Sequence, residues 1–494
     1  MGHWNEESVL IAVGRGFLAT GAAVLAGALW LVAAERPSCG AERRPNLLVI
    51  ITDQQHAGMM SCAGNPYLKT PAMDSLAAHG MRFELAYATN PVCIPSRMSM
   101  VTGHMPSRFG MRSNAEGRKQ APKEAIQQAM GWIFRRAGYE TAYGGKTHWM
   151  RGMTPESIGF ASITSDQREG LAEACAEFFR QSRDRPFLLV ASFINPHDIC
   201  YMAIDDYTRT MGKPTMYPRS TVERQRLAEA LRWPEGVSRE EFFERLCPPL
   251  PPNFEVPALE PECITTDYLG VRSFRQFAQQ RWSEERWRLH RWAYCQLTEM
   301  VDRHIARVLE ALRQAGLEQD TVIVFTSDHG DLDGAHRLEH KSILYEEAAR
   351  VPLIVSWAGV TRPGAVDSDH LVSVGLDLIP TLCDYAGIEP PPGLLGRSLR
   401  PLAEGKRPPG WRRFLVAESR AGRMVRTDRF KYNVYQSGRH REQLIDLKTD
   451  PGEMDNLAED PRYEDVLNQH REMLQAWVER TGDQIARPYI VPPR

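Results

Sequence analysis

Along the chain, short and almost wholly apolar runs recur, and each gives way abruptly to a polar cluster. Asn46–Thr52 (NLLVIIT) runs into Asp53-Gln54, and the brief Thr141–Tyr143 into Gly144-Gly145-Lys146-Thr147-His148. Phe187–Phe193 (FLLVASF) leads to Asn195-Pro196-His197-Asp198, and Val322–Thr326 (VIVFT) to Ser327-Asp328-His329-Gly330-Asp331. Val351–Ser356 (VPLIVS) closes the series. Runs of this kind, without polar alternation, predict strands buried on both faces and so a parallel sheet covered by helices. The clearest helical pattern is Ser283–Gln314. There Leu297, Val301, Ile305, Val308 and Leu312 recur at spacings of three and four and share one face, and Gly316 is expected to end the helix. Strands alternating with helices predict a doubly wound α/β core.

In open α/β sheets the ligand crevice lies beyond the carboxyl ends of the strands. Four of the five runs deliver Asp, His or Lys just past a strand end, so clusters far apart in sequence are expected to converge on one site. Two stretches interrupt the pattern. The first, at about 198–281, includes the proline-rich Cys247–Pro261, which is unsuited to helix or central strand. It reads as an insertion over the site or on its rim. The second is Pro390–Gly410, with PPPG and RPPG, which reads as a linker. Beyond it, Phe414–Ala417, Met424–Arg426, Lys431–Tyr435 and Leu444–Leu447 look like short strands, and Tyr463–Arg480 like a helix. The expected organisation is a leader over 1–44, a main α/β domain over 45–389, a linker over 390–410, and a smaller α+β domain over 411–494.

With 494 residues, 43% apolar and 25% charged, the chain has an ordinary globular balance, which excludes a disordered, collagenous or multi-span membrane protein. A net charge of −2 gives no reason to expect nucleic acid as a partner. Nine cysteines show no CxxC pair and no zinc spacing, and their odd number leaves at least one unpaired in a monomer. Gly16–Ala34 is uncharged, follows Arg15 and ends in small residues. Three readings stay open: a cleaved export signal, a retained anchor, or a packed N-terminal helix. The first two place the body outside the cytoplasm, periplasmic or extracellular, with membrane contact only through that segment.

Asn90-Pro91-Val92-Cys93-Ile94-Pro95-Ser96-Arg97 carries the sharpest chemistry. Pro95 suits a first helical turn, where its fixed φ fits and its missing N–H costs nothing. Cys93 then sits at the helix start, where free N–H groups and the dipole favour an anion, and Arg97 adds a fork-shaped cation one turn along. Cys-Ile-Pro-Ser-Arg, followed by Thr102-Gly103, resembles the activation motif of the type I, formylglycine-dependent sulfatases of the alkaline-phosphatase superfamily. Gly138-Tyr139-Glu140-Thr141 … Gly145-Lys146-Thr147-His148 resembles that family's second signature. The likeness continues through SDHGD, His340-Lys341, Asp377–Leu382, Leu444–Leu447, Asp450–Glu453 and Asn456-Leu457. It spans about Pro45 to Leu457.

The resemblance implies an alkaline-phosphatase-like α/β fold, with a doubly wound, mostly parallel sheet flanked by helices and a smaller C-terminal α+β domain. It also implies conversion of Cys93 to formylglycine by a maturation enzyme. One divalent metal ion is implied on Asp53, Gln54, Asp328 and His329, with the modified Cys93 as a further contact. Two carboxylates and an amide oxygen make a hard-cation site. The family's common pattern has a second Asp where Gln54 stands and often Asn where His329 stands. The protein charge at the metal is therefore smaller, and an imidazole shifts preference toward a transition ion. Ca²⁺ is the first expectation, with Mg²⁺ and Mn²⁺ open.

By the same resemblance Arg97, Lys146, His148, His197 and Lys341 complete the catalytic anion pocket, with His197 or His148 protonating the leaving alcohol. His336 and Arg337 are candidate contacts to the substrate. Arg272, Arg275, Arg281, Arg286, Arg288 and Arg291 read either as a grip on a sulfated glycan or as a solvated helix face. The expected activity is hydrolysis of a sulfate monoester, on a carbohydrate or another small sulfated molecule. The alternatives are a phosphonate monoester or phosphodiester hydrolase using the same pocket, and a sulfated-glycan binder without catalysis.

Overall fold

The computed structural model describes residues 44–493, and the leader expected over 1–44 falls outside them but for Arg44. Asn46–Asp53 (β1) lies in the middle of an eight-stranded sheet. The others, in chain order, are Gly80–Phe83 (β2), Glu140–Gly145 (β3), Ala161–Thr164 (β4), Phe187–Pro196 (β5), Thr321–Ser327 (β6), Leu353–Ser356 (β7) and Ala365–Asp367 (β8). Their spatial order is β4-β3-β5-β1-β6-β7-β2-β8. The five strands from β4 to β6 are parallel, whereas β7 runs antiparallel to both β6 and β2. The sheet is thus mixed at the edge where VPLIVS lies.

The apolar runs are buried on both faces, as their lack of alternation predicts. Leu47, Val49 and Ile51 pack on one side with Met98, Val101 and Ile379. Leu48 and Ile50 pack on the other with Val301, Ile305 and Val308 of the helix Glu284–Gln314. Ser283 caps that helix by accepting a hydrogen bond from the Arg286 N–H, and Gly316, at φ 70°, takes the left-handed turn that follows it. Each side chain fully buried on its apolar stripe contributes about 1.5–3 kcal/mol over exposure. Three strands of this sheet are not revealed by the apolar pattern: β4 and β8, which lie at its edges and are partly exposed, and β2, a short buried strand of only four residues.

Register places the chemistry. Thr52 pairs with Ser327, Asp53 with Pro196, and Gly145 with Ser192. The carboxyl ends of β3, β5, β1 and β6 therefore stand side by side. They bring Lys146, His197, Asp53-Gln54 and Asp328-His329 to one rim.

The insertion supplies helices Tyr201–Thr210, Thr221–Ala230 and Ser273–Arg281, while the proline-rich Cys247–Pro261 forms neither helix nor strand. Leu415–Glu418 (β9), Gly422–Arg426 (β10), Phe430–Tyr435 (β11) and Glu442–Asp446 (β12) form an antiparallel meander. The helix Glu464–Thr481 covers it through Leu467, Leu474, Trp477 and Val478. The stretch expected as a linker is packed in place. Leu399, Leu402 and Ala403 are buried in the main core, and the described residues 44–493 form one compact unit. Among the described residues no helix is long and apolar enough to cross a membrane, and the eight described cysteines are all unpaired.

Candidate active site

Cys93 is the first residue of the helix Cys93–Thr102, all ten residues of which are buried. Its sulfur lies 3.1 Å from Lys341 Nζ and 3.2 Å from His329 Nε2, with Asp53 Oδ1 at 3.8 Å. Burial pushes the thiol up, but Lys341, Lys146, His329 and then a hydrogen bond with His148 more than offset it. The group falls well below the ordinary thiol range. The sulfur thus acts as an internal probe: this spot stabilises negative charge despite its burial.

Arg97, one turn along, binds the two aspartates together. Its Nε donates to Asp328 Oδ2 at 2.7 Å and its Nη2 to Asp53 Oδ2 at 2.9 Å. Its Nη1 donates to Ser192 Oγ at 2.7 Å and to the Lys146 carbonyl at 3.1 Å. Lys146 Nζ adds a bond to Asp53 Oδ2 at 2.5 Å. Burial and the Cys93 sulfur push the Asp53 carboxyl up, but Lys146, His197 and Arg97 hold it well below the usual carboxylate range. Burial, helped by Asp53, pushes Asp328 up to about 6.

Donor atoms of Asp53, Cys93, Asp328 and His329 lie within 4.8 Å of one another, and all four residues are buried. Ligands on opposite sides of one divalent ion, each about 2.0–2.6 Å from it, are no farther apart than about 5 Å. The cluster therefore fits a single ion. His329 Nδ1 donates to the Gly330 carbonyl at 2.8 Å, which leaves Nε2 as a lone-pair donor toward the cluster.

Gln54 is held at φ 68°, a costly conformation for a side chain with a Cβ. Its carbonyl accepts from the Tyr294 hydroxyl (2.5 Å) and its N–H donates to Asp328 Oδ1 (3.1 Å). Its Nε2 donates to Asp331 Oδ2 at 2.6 Å, so Oε1 turns toward Lys341 Nζ (2.7 Å) and the Cys200 thiol (2.9 Å). His197 is half-buried, and its Nδ1 is enclosed and unbonded. Burial first, then Lys146 and Lys341, push it down to about 3. His148 and His197 border a cavity of about 590 Å³ together with Lys341 and Cys200.

The chain therefore brings together Asp53, Gln54, Cys93, Arg97, Lys146, His148, His197, Asp328, His329 and Lys341. It does not bring His336 and Arg337 to the cavity wall. Gly334, His336 and Arg337 all have positive φ, and this tight turn lays the His336 ring on Tyr345 and its Nε2 against the Gly452 carbonyl (2.9 Å). Arg337 forks onto Glu255. Asp331, Cys200, Tyr294 and Tyr268 were not singled out by the sequence. Asp331 alone carried a signal, as the last residue of SDHGD.

A family profile described as "Sulfatase" matches residues 45–388, well over half the chain. The chain belongs to the sulfatase family. A second profile, "N-sulphoglucosamine sulphohydrolase, C-terminal", matches residues 334–480 of this sulfatase. A Delta 4,5-hexuronate-2-O-sulfatase of Bacteroides thetaiotaomicron is 29% identical over 470 residues, which cover 90% of this chain and 92% of that protein. A solved 2-O GAG sulfatase superposes with TM-score 0.75 at 28% identity, covering 91% and 95% of the two chains. The phosphonate monoester hydrolase of Agrobacterium radiobacter shares the fold, with TM-score 0.67 at 22% identity over 89% and 96% of the chains. This sulfatase is an enzyme that hydrolyses sulfate esters. The alkaline-phosphatase-like fold expected from its motifs is the one observed.

Proposed function

We propose that this sulfatase removes sulfate from a sulfated carbohydrate outside the cytoplasm. In this reading Cys93, oxidised to formylglycine, is the nucleophile, and Asp53, Gln54, Asp328 and His329 hold one divalent ion. The observation that supports it best is the Cys93 sulfur, seated at a buried helix start between Lys341 and His329 and beside two buried aspartates. That sulfur stands where an oxygen of the oxidised side chain would lie.

Formylglycine, as its hydrate, supplies one hydroxyl able to attack sulfur and a second whose deprotonation expels sulfate. A divalent ion supplies charge beside those oxygens and lowers their pKa. Ca²⁺ is proposed first. The imidazole of His329 keeps Mn²⁺ in contention, and Mg²⁺ remains a candidate.

The chain's own residues do the rest. Arg97 fixes the separation of Asp53 and Asp328. Lys146 and Lys341 put fixed positive charge on the sulfate oxygens, and no reorganisation is needed as charge develops. Asp331 holds the Gln54 amide so that its oxygen faces the Cys93 side. His197 donates the proton to the departing alcohol. Burial, and after it Lys146 and Lys341, keeps this imidazole neutral, and an anion seated against the two lysines offsets their share. His148 steadies the oxidised side chain and serves as the second candidate for the proton.

The carbohydrate assignment draws on the names of the relatives. The compartment draws on the uncharged Gly16–Ala34, and a formylglycine-generating maturation enzyme is the required partner. The test is sulfate release from 4-nitrophenyl sulfate and from a panel of sulfated mono- and disaccharides, set against an aryl phosphonate. Preferred turnover of a sulfated sugar is expected. Faster phosphonate cleavage, or no sulfated sugar turned over, would overturn the reading. A C-terminally tagged full chain found only in the cytosol would overturn the compartment.

A further inference from the structure

The cavity beside Cys93 is far more cationic than one sulfate ester requires. Besides Lys341, its wall carries Arg118, Arg272, Arg275 and Arg420, against a single carboxylate, Asp267. None of these arginines forms an ion pair among the described residues. Other arginines of the same sequence stretch are consumed by the fold. Arg286 pairs with Asp206 and Arg291 with Asp333, while Arg288 donates to the Pro248 and Cys247 carbonyls.

The four come from three separate parts of the chain. Arg118 follows the Cys93 helix, Arg272 and Arg275 lie in the insertion, and Arg420 sits in the turn between β9 and β10. Arg275 is built in rather than dangling. Its guanidinium lies 4.0 Å above the Tyr268 ring, and Nη1 donates to the Tyr268 carbonyl at 3.4 Å. Tyr268 donates in turn to the Glu339 carbonyl, and Phe274 packs 5.1 Å from the His340 ring. This platform is anchored on the segment that carries Lys341. A stacked, partly desolvated guanidinium with no carboxylate of its own is suited to an anion brought by a ligand.

We propose that Arg275, with Arg118, Arg272 and Arg420 around it, forms a second anion subsite, so that the preferred substrate is a sulfated sugar bearing a further carboxylate or sulfate. The proposal rests on the sulfatase reading for the ester itself. A cavity of about 590 Å³ is large enough for such a sugar.

The test compares a sulfated uronic acid with its carboxyl-reduced counterpart, and both with a disulfated neutral sugar, using the full chain. The wild type is expected to prefer the acidic or disulfated sugar by about 10- to 100-fold in kcat/KM, as a charge-assisted bond predicts. Whichever of the two is preferred names the second anion. Arg275→Ala should bring that preference down toward unity, mainly through KM, with Arg275→Lys intermediate. Arg420→Ala, at an exposed turn position, should lower it more modestly. No preference in the wild type, or a preference unchanged in both Arg275→Ala and Arg420→Ala, overturns the subsite. Calorimetric binding of the same sugars separates the two readings. Preferential binding without hydrolysis keeps the subsite and sinks the sulfatase reading, whereas hydrolysis without preference does the reverse.

Discussion

Lys341→Met separates catalytic charge from structural charge. Lys341 is 6% exposed, and its Nζ contacts Gln54 Oε1 at 2.7 Å and the Cys93 sulfur at 3.1 Å. No carboxylate lies within ion-pair distance of it among the described residues, unlike Lys146, which rests on Asp53. Burying an ammonium group costs several kcal/mol, and here Cys93 and, farther off, Cys200, Asp53 and Asp328 offset that cost and hold the group above the ordinary lysine range. A cation set against the Cys93 side chain and the Gln54 amide, and not on a carboxylate, is placed to meet an anionic ligand. Methionine retains the length and apolar stem of the side chain and removes the charge. Loss of one fixed donor aimed at developing negative charge costs about 3–4 kcal/mol, or about 10²–10³-fold in kcat. Stability should fall by no more than about 2 kcal/mol, because the attraction of the surrounding anionic groups is lost while Gln54 Oε1 keeps its bond from the Cys200 thiol. The assay is kcat on 4-nitrophenyl sulfate alongside urea denaturation of the same preparations. Activity within about fivefold of wild type would refute the argument. So would a stability loss of several kcal/mol accompanying the lost activity.

Two further outcomes follow from the geometry. Asp328→Asn removes one of two buried carboxylates from the donor cluster, so metal per chain, measured by mass spectrometry of the purified protein, should fall clearly, and unchanged content would contradict the ligand assignment. Asp302 caps the helix Pro71–His79 by accepting from the Ala72 and Met73 N–H groups, and burial pushes its carboxyl up to about 6. A raised acid binds its proton more tightly when folded, so its charged form costs stability as pH rises from about 4 to 6. Relative to Asp302→Asn, the wild type should therefore lose stability across that interval in urea titrations, and a flat difference between the two would contradict the shift.

How much was legible in the sequence depended on what positioned each group. The runs that became β1, β5 and β6 were readable because both their faces are buried, which removes polar alternation. The register of those parallel strands then made Asp53, His197 and Asp328 neighbours. Cys93 and Arg97 were readable because one short helix fixes their spacing. The edge strands β4 and β8 were not, since partial exposure leaves them no apolar signature. Arg275, Tyr268 and Cys200 come from the insertion, where tertiary packing and not local periodicity decides what faces the cavity. His336 and Arg337 stand only a few residues before Lys341 in sequence, yet successive left-handed residues turn them toward Tyr345, Gly452 and Glu255. Gln54 shows a further limit. Its residue type was visible, but the Tyr294 hydroxyl that holds its backbone carbonyl and the Asp331 carboxylate that fixes its amide lie 240 and 277 positions away.

The most direct measurement is the mass of the peptide containing Cys93, taken from protein made in a host able to generate formylglycine and matched with the same protein carrying Cys93→Ala. The account predicts an aldehyde at position 93, turnover of 4-nitrophenyl sulfate that scales with the oxidised fraction, and a folded but inactive alanine variant. An intact thiol in fully active enzyme, or an alanine variant that still turns over, would contradict it.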